Sequence, residues 1–115
     1  MCEIVYKISP RDAWQQAVAA GVYEGAPVDH QDGFIHFSTA QQVAETASKH
    51  FAGQDDLVLV AVESSLLGDA LRWEPSRGGD LFPHLYGTLP IDAACSVSPL
   101  PLGPNGEHMF PEGVL

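Results

Sequence analysis

The chain predicts an α+β fold: a mostly antiparallel sheet, closing into a small split or closed barrel, with two helices near the N-terminus. Two observations carry that expectation. Two stretches with helix start and stop signals fall in the first half of the chain. About six strand-like stretches accompany them, most of them after the helices instead of alternating with them. The 115 residues, 45% hydrophobic and 17% charged, suit one globular domain spanning 1–115.

Each element has its own signature. Residues 2–8 set Ile4, Tyr6 and Ile8 against Glu3, Val5 and Lys7, the alternation of a first strand. Ser9-Pro10-Arg11-Asp12 reads as a helix start, with a hydroxyl N-cap, proline in the first turn and an acid behind it. Ala13, Trp14, Ala17 and Val18 give that helix an apolar face, and Gly21 ends it. Glu24 to Asp32, with Gly25, Pro27, Asp29 and His30, reads as a long loop of the kind that carries function.

Gly33 to Phe37 is a second strand, sending Phe34, His36 and Ser38 to one face and Ile35 and Phe37 to the other. Ser38 reads as the N-cap of the second helix, with Gln41 completing a capping box; the helix runs through Val43, Ala47 and Phe51 to Gly53. That would set His36 beside a helix N-terminus, where anions are favoured. Asp56 to Glu63 is apolar on both faces and reads as a central strand covered twice. Ser64 to Gly68 is a short turn or a single helical turn. In the strand Ala70 to Glu74, Leu71 and Trp73 share one face, Arg72 and Glu74 the other. Leu81 to Tyr86 is a strand that Pro83 assigns to an edge or bulge. Pro90 to Leu100 is the last main strand, and Pro104-Asn105-Gly106 a hairpin-type turn.

The net charge of −10 argues against nucleic acid or an anionic membrane as partner, because both need clustered cations. Lys7, Arg11, Lys49, Arg72 and Arg77 are the cations available. No signal peptide or apolar run of membrane-spanning length is visible, so a cytoplasmic protein with Cys2 and Cys95 as free thiols is expected.

The chemistry concentrates in two stretches, Asp32-Gly33-Phe34-Ile35-His36-Phe37-Ser38-Thr39 and Leu81-Phe82-Pro83-His84-Leu85-Tyr86-Gly87. Each sets a histidine and a hydroxyl two residues apart on one face of an apolar strand. Burying such groups unpaired costs about 1–3 kcal/mol each, so a site where the pairs converge would satisfy them. Each histidine has two readings: an acid/base or ligand-contacting imidazole, or one satisfied inside the core. Arg72 and Glu74 form a surface ion pair, or contact a ligand if their face lines a cleft. Arg77 in its Gly/Ser loop suits an anion clamp or plain exposure. No metal-ligand spacing, phosphate loop or nucleophile elbow is present, so neither a metal nor a bound cofactor is expected. Paired-histidine phosphoester chemistry fits His36-Phe37-Ser38 but not His84-Leu85-Tyr86, where the hydroxyl lies at a different reach. A non-catalytic binding module is the remaining reading.

The motifs Gly33-Phe34-Ile35-His36-x-Ser38, Leu71-x-Trp73-Glu74 and Phe82-Pro83-His84-x-Tyr86-Gly87-x-Leu89 resemble those of small bacterial proteins grouped as domain of unknown function 952. The resemblance implies a fold similar to the ADP-ribosyltransferase fold, a split barrel around a cleft that holds NAD in enzymes. It implies that His36 contacts a ribose hydroxyl, that Ser38 belongs to the cleft wall, and that His84 and Tyr86 face the same cleft. Tyr86 would stack on a nicotinamide-like ring. Lys7, where members often carry histidine, and Arg72 would hold phosphate, and Glu74 would stabilise positive charge. The ligand would be a nucleotide-like small molecule with NAD as candidate substrate, the chemistry ribosyl transfer or hydrolysis at C1′ through an oxocarbenium-like state.

Overall fold

The computed structural model describes residues 3–75 and 79–111; Cys2 and Arg77 lie outside them. The elements run β1 (Ile4–Pro10), α1 (Arg11–Ala20), β2 (Val22–Tyr23), α2 (Pro27–Asp32), β3 (Ile35–His36), α3 (Val43–His50), β4 (Leu57–Glu63), β5 (Leu71–Pro75), β6 (Leu81–Leu85), β7 (Leu89–Pro90) and β8 (Ala94–Leu100). Short 3₁₀ segments at Ser64–Ala70 and Ile91–Ala93 link β4 to β5 and β7 to β8. Three sheets result, ordered β1-β4-β8, β2-β7 and β3-β6-β5, with antiparallel pairing throughout the described residues. The architecture is α+β, as expected. Tyr6 and Ser38 exchange backbone hydrogen bonds of 2.7 and 2.9 Å, which joins β1 to the chain just beyond β3.

The continuous apolar run of β4 is explained by its position. Val58, Val60 and Val62 enter a core cluster with Val5, Trp14, Tyr23, Ile35 and Leu89. Leu57 and Leu59 point the other way, into a second cluster with Ile8, Val43, Ala47 and Leu100. A strand between two packed layers has no solvent face, so period-2 polarity disappears. Gly21 closes α1 with φ +84°, its N–H on the carbonyls of Ala17 and Val18.

Several expectations are corrected. Ser9 does not cap α1; it is a fully buried residue of β1, opposite Val58, and Pro10 holds the cap position without a side-chain bond. Val18, placed on the apolar face of α1, is half exposed. The stretch 24–32 is not a loop throughout, because Pro27 opens α2 at its first position. Ser38 does not cap the second helix: its N–H and C=O are both committed to Tyr6, so residue 38 stays extended and α3 starts only at Val43. Its hydroxyl instead lies 3.0 Å from that of Thr46. The helix therefore leaves no N-terminus beside His36.

By its composition Pro83 belongs at an edge or bulge, yet β6 is the middle strand of its sheet. The Phe37 N–H donates to the Pro83 carbonyl at 3.0 Å. The reciprocal bond is the one proline cannot make, and it falls where β3 has already ended. The ring thus costs one bond at the end of a two-residue strand, not a gap in a long ladder.

Leu89 is fully buried in the first cluster. Leu89→Ala should lower the unfolding free energy by about 2–5 kcal/mol, whereas Val18→Ala should stay within about 0.5 kcal/mol. Urea unfolding of both variants measures the contrast.

Candidate functional site

The site begins at Asp29. Proline at the first position of α2 starts the helix, and Asp29 at the third turns its carboxylate back to accept the Ala26 N–H at 2.7 Å. The same buried carboxylate takes Lys7 Nζ at 2.9 and 3.1 Å, the His36 backbone N–H at 3.1 Å and His36 Nδ1 at 2.6 Å. Asp29 is 2% exposed and Lys7 5%. His36 Nε2 faces Asp32 Oδ2 at 2.9 Å, four residues back across the end of α2. Gly25, at φ +105°, leaves the room: a Cβ there would sit 2.9 Å from that of Asp29.

Strand register brings the second histidine in. His36 lies opposite His84, and His84 opposite Arg72. Because the neighbouring pair Phe37/Pro83 carries the ladder bond, His36/His84 is a non-hydrogen-bonded pair, the type in which side chains approach most closely. Their ring centroids are 5.6 Å apart. Phe34 stacks on His84 at 4.1 Å with 21° between planes, tilts against His36 at 4.6 Å and reaches Tyr86 at 5.3 Å. Glu74 Oε1 accepts from His84 Nδ1 and from the Tyr86 hydroxyl, both at 2.8 Å. The Arg72 guanidinium lies 4.9 Å from the centroid of the Tyr86 ring.

Electrostatics follow from these contacts. Burial acts to raise the Asp29 carboxyl, but the His36 hydrogen bond and the Lys7 charge outweigh it and hold Asp29 well below the usual carboxylate range. Burial pushes the Lys7 ammonium down, opposed by the charge of Asp29. The hydrogen bonds from His84 and Tyr86 lower the Glu74 carboxyl, and the bond to Glu74 raises the Tyr86 phenol. Burial raises the Tyr23 phenol to about 12, with the Asp29 charge acting in the same direction.

Of the residues singled out in the sequence, His36, His84, Glu74, Tyr86 and Arg72 therefore meet on one sheet face. Lys7 joins from behind through Asp29, its ammonium buried. Ser38 does not join; it is buried against α3. Asp29, Asp32 and Phe34 were not singled out. Proline followed two residues later by an acid was a legible start for α2, and Phe34 shares the His36 face by alternation. The pairing of Lys7 with Asp29, 22 residues apart, left no local trace. Among the described residues no group of three His, Cys, Asp or Glu side chains could hold a metal ion, and no helix is long and apolar enough to cross a membrane. A recess of about 370 Å³ lined by Thr39, Gln42, Glu45, Asp80, Leu81 and Phe82 includes none of the histidine cluster.

Comparison with known proteins finds a family model described as a protein of unknown function (DUF952) matching residues 8–97. That span holds both histidines, Glu74 and Tyr86. The crystal structure of protein CC0527 from Caulobacter crescentus is 45% identical over 96% of this chain and 97% of that one, with a TM-score of 0.92. The solution NMR structure of the same protein is 48% identical over 90% of each chain, with a TM-score of 0.82. No curated protein matches.

Removing one partner of a buried ion pair leaves an uncompensated charge, so Asp29→Ala should cost about 3–5 kcal/mol, much of it recovered in the double variant Lys7→Met/Asp29→Leu. Chemical denaturation of the three proteins checks this. Because the folded-state carboxyl is depressed, the Asp29 contribution is complete above its ordinary value of 3.8 and is lost as pH falls below it. Asp29→Asn should therefore show a shallower loss of stability below about pH 4 than the wild type.

Proposed function

The chain belongs to the DUF952 family, and from that premise we propose that its His36–His84 face is a cleft for a nucleotide-like small molecule, with ribosyl transfer or hydrolysis as its chemistry. The observation that carries the reading is Glu74: a carboxylate held ionised by His84 and Tyr86, on the same sheet face as His36. Cleavage at a ribosyl C1′ develops positive charge on the sugar, and a fixed carboxylate is what lowers that barrier. The small antiparallel sheets, with a His, Tyr and Glu gathered on one of them, support a likeness to the ADP-ribosyltransferase fold, in which NAD is the substrate.

The charge balance favours this over phosphoester cleavage. Asp29, Asp32 and Glu74 surround the two imidazoles, while Lys7 is already taken by Asp29. Such surroundings favour a developing cation and oppose a phosphate dianion gaining charge. Arg72, exposed beside Tyr86, supplies the cation for a ligand phosphate. A ribose hydroxyl reaches His36 by replacing Asp32, whose side chain is 44% exposed, at Nε2. Tyr86, also partly exposed, offers its aromatic ring to a planar base.

NAD incubated with the protein should release nicotinamide. Glu74→Gln should slow release by about 10²–10³-fold, the size expected for one electrostatic contact to the transition state, while affinity for ADP-ribose changes by less than about threefold. His36→Ala should lose ADP-ribose binding, measured by calorimetry. No release and no binding by a folded wild type would overturn the proposal.

A further inference from the structure

We infer that His84, not His36, is the base of this site, and that its Nε2 takes the proton from a small O–H nucleophile, water foremost, attacking C1′. The inference rests on the ribosyl reading above and adds to it the nucleophile and the residue that activates it.

The two rings differ in what their nitrogens can still do. Both nitrogens of His36 face carboxylate oxygens, at 2.6 Å from Asp29 and 2.9 Å from Asp32, and the nitrogen that Asp32 gives up is taken by the ribose hydroxyl, so His36 is committed to positioning the sugar. His84 Nδ1 donates to Glu74 at 2.8 Å, which leaves the lone pair of the neutral ring on Nε2. Among the described residues Nε2 makes no hydrogen bond. Phe34, stacked 4.1 Å from the ring, holds the imidazole plane, and Glu74 holds its tilt.

Access sets the class of nucleophile. The His84 residue is 6% exposed, so Nε2 meets something the size of water or a primary alcohol and not a protein side chain approaching on a folded surface. That makes the site hydrolytic before it is protein-modifying. In the step, the water oxygen bonds to C1′ as the C1′–N bond breaks, and the bonding pair leaves on the ring nitrogen of nicotinamide. His84 Nε2 receives the water proton, Glu74 faces the resulting imidazolium, and the proton then passes to solvent. Nicotinamide, ADP-ribose and one proton are the products.

Two measurements test it. At a pH where free imidazole is neutral, ¹⁵N spectra should show His84 as the Nδ1–H tautomer, and Glu74→Gln should shift population toward Nε2–H. In the nicotinamide-release assay, His84→Gln should lower kcat by about 100-fold with KM retained, remove the acid limb of the pH–rate profile and regain activity with added imidazole. An Nε2–H tautomer in the wild type overturns the assignment, as does wild-type kcat in His84→Gln, or the same kcat loss with KM retained in His36→Gln. A wild type that releases no nicotinamide overturns the ribosyl reading and this step with it. The tautomer separates the two failures, since it reports the Glu74–His84 geometry without any ligand.

Discussion

One carboxylate organises the site. Asp29 draws together β1 through Lys7, the start of α2 through the Ala26 N–H, and β3 through both the backbone and the ring of His36. A two-residue strand such as β3 has little to hold it by ladder bonds alone. Its position is set instead by charge-assisted bonds that are short, buried and directional. The cost of burying a lysine and an aspartate is offset only because nearly every donor around them points at the same two oxygens. His36 inherits its placement from that arrangement, and the remaining cluster is placed relative to His36.

From there the geometry passes across the sheet. The missing N–H of Pro83 ends the β3–β6 ladder where β3 itself ends, and the pair just before it is the close-approach type. Two imidazoles are thereby brought side by side, each tied to a carboxylate, with Phe34 filling the space over both. Glu74 and Tyr86 follow from alternation along β5 and out of β6, on the His84 face. Negative charge gathered around two adjacent imidazoles, with Arg72 against Tyr86, is the physical basis of the functional reading.

Much of this was legible in the sequence where local periodicity sets geometry. The apolar run of β4, the Gly21 stop, the turn at 104–106 and the common face of Arg72 and Glu74 all follow from rules that look a few residues either way. What was hidden depended on distant partners. Ser38 has the composition of a cap, but Tyr6 holds its backbone extended. Pro83 has the composition of an edge, but the place where its strand partner ends decides the cost. Lys7 looks like a free cation for phosphate until Asp29 arrives from 22 residues away. Asp29 itself, in a stretch read as loop, was the hardest to see and is the residue on which the site depends.

On the proposed reading the ligand enters at the two-histidine face and not at the recess beside Gln42 and Leu81. The most direct measurement is a titration of ADP-ribose followed at the carbon-bound ring protons of the histidines. Saturable shifts are expected at His36 and His84, with His50 and His108 unmoved. Rings that stay unmoved at millimolar ligand in a folded protein, or shifts confined to the backbone around Thr39–Glu45 and Asp80–Phe82, would contradict it.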